Sequence, residues 1–110
     1  MPKQSADLNR VFNALADPTR RAVLERLCKG EAPVSELAQP FDMALPSFSQ
    51  HLDVLERCGL VMSVKTGRVR TIKLAPKAMQ VAESWLSDRR AIWDTRLNQL
   101  DAYLKTMKGN

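Results

Sequence analysis

The stretch from residue 43 to residue 62 constrains the fold of this chain more than any other. It reads MALPSFSQHLDVLERCGLVM. Pro46 suits the first turn of a helix and Gly59 suits the left-handed residue that ends one, so we expect a helix over about 46–58. Helical spacing then places Phe48, Leu52 and Leu55 on one face. Short polar side chains occupy the opposite face, namely Ser47, Ser49 and Gln50.

A basic hairpin is predicted directly after this helix. β-Branched residues over 60–65 and 68–74 flank Thr66-Gly67, a pair that suits a tight two-residue loop. Between Arg57 and Ala82 the sequence contains six basic residues and no acidic one. The basic side chains around the hairpin tip are Lys65, Arg68 and Arg70. Such side chains can reach phosphates while the polar helix face approaches base edges, so the pattern indicates a winged helix that binds DNA.

The residues before this unit predict three further helices. Apolar residues at i, i+3, i+4 and i+7 indicate a first helix that ends before Asp17. Asp17 and Pro18 then suit the cap and first position of a second helix, over about 18–29. A short helix over 34–39 is closed by Pro40 and, with the helix at 46–58, makes a helix-turn-helix.

A single long helix is predicted from Pro76 onward. Its near-heptad apolar stripe consists of Leu86, Trp93, Leu97, Leu100, Leu104 and Met107. A helix of about 30 residues extends about 45 Å, longer than a domain of this size can cover. Part of the stripe is therefore expected to face another subunit. The predicted fold class is mainly α with a small β-hairpin, a winged helix-turn-helix with a long C-terminal helix.

Composition limits the function classes. The 110 residues, 45% of them hydrophobic, fit a single domain over 1–110. A formal net charge of +5 favours a polyanionic partner. The sequence contains no apolar run long enough to span a bilayer, and its N-terminus lacks the apolar core of a signal peptide, so we expect a cytoplasmic protein with no membrane partner.

Neither an enzyme nor a metal protein is expected. The sequence shows no nucleophile with an oriented base, no phosphate-binding glycine loop and no paired carboxylates, and no cofactor is predicted. His51 and Cys58 lie about 10.5 Å apart along one helix and cannot share a zinc ion. Cys28 and Cys58 are expected to be free thiols, with a single regulatory disulfide between them as the alternative.

The chain resembles the ArsR/SmtB-type winged-helix transcriptional repressors. The motifs that carry the resemblance are FNALADPTRR at 12–21, VSELA at 34–38, SQHL at 49–52, GLV at 59–61 and Gly67-Arg68. The resemblance implies a homodimer that places two recognition helices in successive major grooves of an inverted-repeat operator.

The resemblance also implies roles by position. Ser47, Ser49 and Gln50 would contact the groove, and Arg68 and Arg70 would serve as wing contacts. His51 would contact a phosphate, with a structural role as its alternative. The first and last helices would form the dimer interface, through Leu8, Val11, Phe12, Trp93, Leu97, Leu100 and Leu104.

The chain departs from the family pattern at several positions. Val34-Ser35-Glu36-Leu37 replaces the Cys-x-Cys element of metal sensors, and residues 77–107 contain no histidine, so metal sensing is not expected. Ala44 stands where many relatives have Ser or Thr, and Ile72 where a wing tyrosine is frequent.

Several alternatives remain open from sequence. A winged-helix protein-interaction module without DNA binding and a thiol-based redox-responsive repressor are the rival functions. Arg20 and Arg21 suit either a salt bridge to a carboxylate or a phosphate contact. Trp85 and Trp93 suit packing or the lining of an effector pocket.

Overall fold

The structure, a computed structural model, describes residues 3–108, with side chains from Asp7 onward. Within that range the chain forms five helices and one antiparallel sheet of strand order β1-β3-β2. The helices are α1 (Lys3–Leu15), α2 (Pro18–Leu27), α3 (Val34–Ala38), α4 (Leu45–Arg57) and α5 (Pro76–Lys108). The strands are β1 (Ala32–Pro33), β2 (Val61–Thr66) and β3 (Val69–Leu74). The predicted fold class is confirmed.

The junction between α1 and α2 is held by side-chain hydrogen bonds to the backbone. The Asp17 carboxylate caps α2 by accepting the N–H of Arg20 at 3.1 Å. The Arg20 and Arg21 side chains turn back and donate to carbonyls in the last turn of α1. Since carbonyls at a helix C-terminus lack intrahelical donors, the two arginines act as a cap. Neither arginine forms a salt bridge with a carboxylate of the described side chains, and the phosphate contact considered from sequence stays a prediction.

Helix α4 matches its prediction to within one residue at each end. It begins at Leu45 and ends at Arg57, and Gly59 has the left-handed φ of +82° expected after a helix. Ala44 occupies the N-cap and makes no side-chain hydrogen bond, as its departure from the family pattern implies. The three side chains predicted for the apolar face of α4 are all 0% exposed, namely Phe48, Leu52 and Leu55.

The hairpin differs from its prediction by one residue. Thr66 pairs with Val69, so the two-residue turn is Gly67-Arg68 rather than Thr66-Gly67. Gly67, at φ +62°, takes the first central position, where a type II′ turn needs a positive φ. Strand β1 was not predicted, because two residues that include a proline give no periodic signal; it pairs with β3 through Ala32 and Ile72.

The core lies between α1, α2, α4 and the sheet. Its largest fully buried side chains are Phe48, Leu52, Leu55, Leu60, Ile72, Val11 and Val23. Val11 is only 1% exposed within the subunit, which corrects its assignment to the dimer interface. The apolar face of α1 is covered by the subunit's own helices, and Phe12 packs edge-on against Trp85 of α5 with ring centroids 5.7 Å apart.

Helix α5 leaves the core soon after it begins. Ala82 is its last buried residue, and every residue over 83–108 is exposed. At about 1.5 Å per residue this exposed part extends roughly 39 Å. The predicted apolar stripe lies entirely on it, with Trp93 66%, Leu97 52% and Leu100 53% exposed. Within the described chain, none of it is covered.

Candidate nucleic-acid interface

The polar face of α4 is presented outward, opposite the core. Ser47 and Gln50 are exposed and Ser49 is half-buried, while Phe48 between them is fully buried. The first turn of the helix also carries backbone N–H groups without intrahelical acceptors, at Leu45 and Ser47. Such groups bind phosphate at helix N-termini. The face therefore offers hydroxyl, carboxamide and N–H groups to one partner.

The wing tip lies beside this face and carries uncompensated positive charge. Lys65 and Arg68 are both exposed, and no carboxylate among residues 7–108 pairs with either of them. Arg68 and Val69 line an open groove of about 570 Å³ together with Leu45 and Ser49 of α4. The polar face of α4, which we call the reading face, and the wing thus border the same concave surface.

Arg70 differs from the other two wing residues because it turns onto α4. Its Nη2 lies 2.7 Å from Oε2 of Glu56 and 3.6 Å from Oδ1 of Asp53, and its Nε donates to Ser63 Oγ at 3.0 Å. Two carboxylates offset its charge, so it ties the wing to the helix. Its assignment by position as a wing contact to DNA stays a prediction.

His51 is held on the side of α4 that faces the α1–α2 junction. Its Nδ1 lies 3.2 Å from Nη1 of Arg20 and 3.7 Å from Oδ2 of Asp17, and its side chain is 23% exposed. Burial alone would raise the pKa of Asp17, but the backbone N–H groups of Arg20 and Thr19, the charge of Arg20 and, when its ring is protonated, the charge of His51 lower it overall. Arg20 and Asp17 are therefore the partners of His51 in the structural role considered from sequence.

The two thiols occupy different surroundings. Cys28 is exposed, while Cys58 is half-buried at the end of α4 and its Sγ donates to the Leu55 carbonyl at 3.3 Å. Burial raises the pKa of the Cys58 thiol, which disfavours the reactive thiolate.

Neither a candidate metal site nor a candidate membrane span occurs among residues 3–108. Over residues 3–108, no three His, Cys, Asp or Glu side chains lie together in a way that would hold a metal ion. In the same range, no helix combines the length and apolar character needed to cross a bilayer.

Sequence reasoning missed the polar contacts that join these elements. Asp53 and Glu56 lie three residues apart on α4, on the side that the wing approaches, and this spacing was the available signal for the Arg70 contact. No comparable signal predicts that Arg20 reaches both the end of α1 and His51, because that contact depends on how the helices pack.

Helix α4 packs its apolar face on the core and exposes its polar face beside a basic hairpin. This arrangement defines a winged helix-turn-helix protein. Residues 15–64 match the family model for a helix-turn-helix domain. The transcriptional repressor SdpR of Bacillus subtilis is 30% identical over 79 residues, which cover 72% of this chain and 88% of that protein. The regulator Rv2034 of Mycobacterium tuberculosis is 42% identical over 71 residues, 64% of this chain and 66% of that protein.

Solved structures of similar proteins have the same fold. The crystal structure of an ArsR family transcriptional regulator superposes with a TM-score of 0.80 at 50% identity, over 86% of this chain and 97% of that one. A homodimeric winged helix-turn-helix DNA-binding domain from Mycobacterium bovis gives a TM-score of 0.62 at 26% identity, over 84% and 91%. The chain belongs to the ArsR family, whose members are transcriptional regulators rather than enzymes.

Proposed function

We propose that this protein is a dimeric, sequence-specific DNA-binding repressor. The observation that carries the proposal is the exposed polar face of α4 beside a wing tip without acidic partners. In this arrangement Ser47, Ser49 and Gln50 read base edges in the major groove, and Lys65 and Arg68 bind backbone phosphates. The repressor role follows the description of SdpR. A protein with this role acts where the chromosome lies, in the cytoplasm.

The dimer is proposed to form mainly through α5. Trp93, Leu97, Leu100 and Leu104 are each about half exposed or more in the single subunit, and an apolar surface of this kind marks an interaction site. Leu8 and Phe12 of α1 are both half-buried and are proposed to take part as well, since Phe12 packs against Trp85 of α5. Two-fold pairing presents two α4 helices, so the operator is expected to be an inverted repeat with half-sites about one helical turn apart.

The rival functions have less support. A protein-interaction module does not require a basic wing tip, yet Lys65 and Arg68 present one. A thiol-based switch at Cys58 would need a stabilised thiolate, whereas burial raises the pKa of this thiol.

The proposal is tested by selecting bound sequences from random duplex DNA and measuring affinities for the selected operator and a scrambled duplex. We expect Gln50→Ala to lower the preference for the operator by about 1–3 kcal/mol, the value of one good base contact. Arg68→Ala should weaken binding to both duplexes alike and reduce the slope of log affinity against log salt by about one.

Lys105→Ala is the matched control for Arg68→Ala, since it removes the same charge near the far end of α5 and should leave the salt slope unchanged. An unaltered operator preference in Gln50→Ala would show that α4 does not read the sequence with this face. A protein that binds no duplex at low salt would reject the repressor proposal as a whole.

A further inference from the structure

A polar cluster joins α1, α2 and α4. Arg20 of α2 uses each of its three nitrogens: Nε donates to the Ala14 carbonyl at 2.8 Å, Nη2 donates to the Asn13 carbonyl at 3.1 Å, and Nη1 lies 3.2 Å from Nδ1 of His51. The two carbonyls belong to the last turn of α1, and His51 belongs to α4. One guanidinium therefore connects the end of α1 to the middle of the reading helix.

The chemistry of this contact determines where His51 carries its proton. A guanidinium has donors only, so the hydrogen bond at 3.2 Å requires Nδ1 of His51 to be the acceptor. A neutral imidazole that accepts at Nδ1 holds its proton on Nε2. The ring is then a donor at the nitrogen that Arg20 does not contact.

Asp17 is a second charged group beside the ring. Its Oδ2 lies 3.7 Å from Nδ1 of His51 and already accepts the backbone N–H of Arg20 at 3.1 Å. The carboxylate therefore serves first as the cap of α2, and the shorter contact of Nδ1 is the one to Arg20.

We propose that Arg20 is a positioning residue for DNA binding: it holds His51 as the Nε2–H tautomer, so that Nε2 can donate to a backbone phosphate, and it fixes α4 against the end of α1. The inference rests on the proposed function for its DNA-binding part, whereas the tautomer is a property of the free protein. It also explains why Arg rather than Lys stands here, since one ammonium cannot reproduce three donors in a planar fork.

Arg21 provides a matched control within the same junction. Its Nη1 donates to the Leu15 carbonyl at 2.7 Å, so it also caps α1, but no contact to His51 is found among the described side chains. Arg20→Met and Arg21→Met each remove one guanidinium from the end of α1. Only the first removes the partner of Nδ1.

The first test is the tautomer of His51 by ¹⁵N NMR at pH 8, on untagged protein. His51 is the single histidine of the 110 residues, so its ring nitrogens give the only imidazole signals. We expect a protonated Nε2 and a bare Nδ1 in the wild type and in Arg21→Met, and a mixture of tautomers in Arg20→Met. A proton on Nδ1 in the wild type would overturn the inference without the need for any variant.

The second test is operator affinity in the same proteins. Arg20→Met should weaken binding about tenfold, the value of roughly one charge-assisted hydrogen bond, and Arg21→Met less than twofold. If Arg20→Met does not fold, Arg20→Lys replaces it. This variant should keep only part of the wild-type operator affinity and only part of the wild-type preference for the Nε2–H tautomer. Equal losses in the Met variants, or an unchanged tautomer without Arg20, would overturn the positioning role. A wild type with the expected tautomer that binds no DNA would instead reject the proposed function alone.

Discussion

The body of the subunit buries its core side chains, whereas the distal part of α5 exposes all of its large apolar side chains. In the body, over residues 7–82, Phe48, Leu52 and Leu55 are fully enclosed by neighbouring elements. Over 83–108 the helix carries nine large apolar side chains, and each one is exposed. The body has the contacts of a domain that folds alone, whereas distal α5 has the exposed apolar surface of the proposed dimer interface.

Leu52→Ala should have the largest effect on stability, because it opens a cavity in the body. Leu52 is 0% exposed on the core side of α4, and such a truncation costs about 2–5 kcal/mol. Urea unfolding followed by circular dichroism, at one fixed protein concentration, measures the loss. Leu52→Met keeps the volume and should cost less than about 1.5 kcal/mol. A loss below that value for the alanine variant would mean that the body is not closely packed around α4.

Replacing Leu97 and Leu100 by Asp should separate the two regions. We expect monomers by sedimentation, a body that retains its cooperative unfolding, and operator affinity reduced about 10²–10⁴-fold because the two half-site contacts are no longer linked. Two charges on the apolar stripe prevent its burial against a second copy.

The control places two aspartates on the other side of the same helix, as Asn98→Asp with Ala102→Asp, and should remain dimeric. A stripe variant that stays dimeric would remove distal α5 from the proposed interface. A monomer that also fails to fold would contradict the independence of the body.

Local signals explain which parts of this fold were predictable. The bounds of α4 were predicted to within one residue because Pro46 and Gly59 act on their own backbone. The wing turn was displaced by one residue because Thr66-Gly67 and Gly67-Arg68 both place a glycine in a two-residue loop, and only the pairing of Thr66 with Val69 distinguishes them.

Side-chain partners across elements were not predictable in the same way. The periodicity of α1 shows which face is apolar but not whether its own subunit or a second one covers it, so Val11 was placed at the interface and lies in the core. Arg70 was grouped with Arg68 by its place in the wing, yet the packing of the wing on α4 brings Arg70 to Asp53 and Glu56. Such contacts follow from packing distances that no local pattern contains.

The smallest expected effect compares one carboxylate from each region. Asp17→Ala removes the cap of α2 and should cost about 1 kcal/mol at pH 7. Asp101→Ala removes an exposed pair with Lys105, whose Nζ lies 3.3 Å from Oδ2, and should cost only about 0.3 kcal/mol and less at high salt.

The pH dependence provides a second distinction between these variants. Because the folded-state pKa of Asp17 is lowered, the ionised carboxylate stabilises the fold above the unfolded-state pKa, and this contribution is lost as pH falls through the folded-state value. The stability difference between the wild type and Asp17→Ala should therefore be largest at neutral pH and shrink below about pH 4. Asp17→Asn keeps a capping oxygen and should lose only the pH-dependent part. If Asp17→Ala and Asp101→Ala cost the same at pH 7, the end of α1 would be no more tightly organised than the exposed helix, and the contrast between the two regions would not extend to their charges.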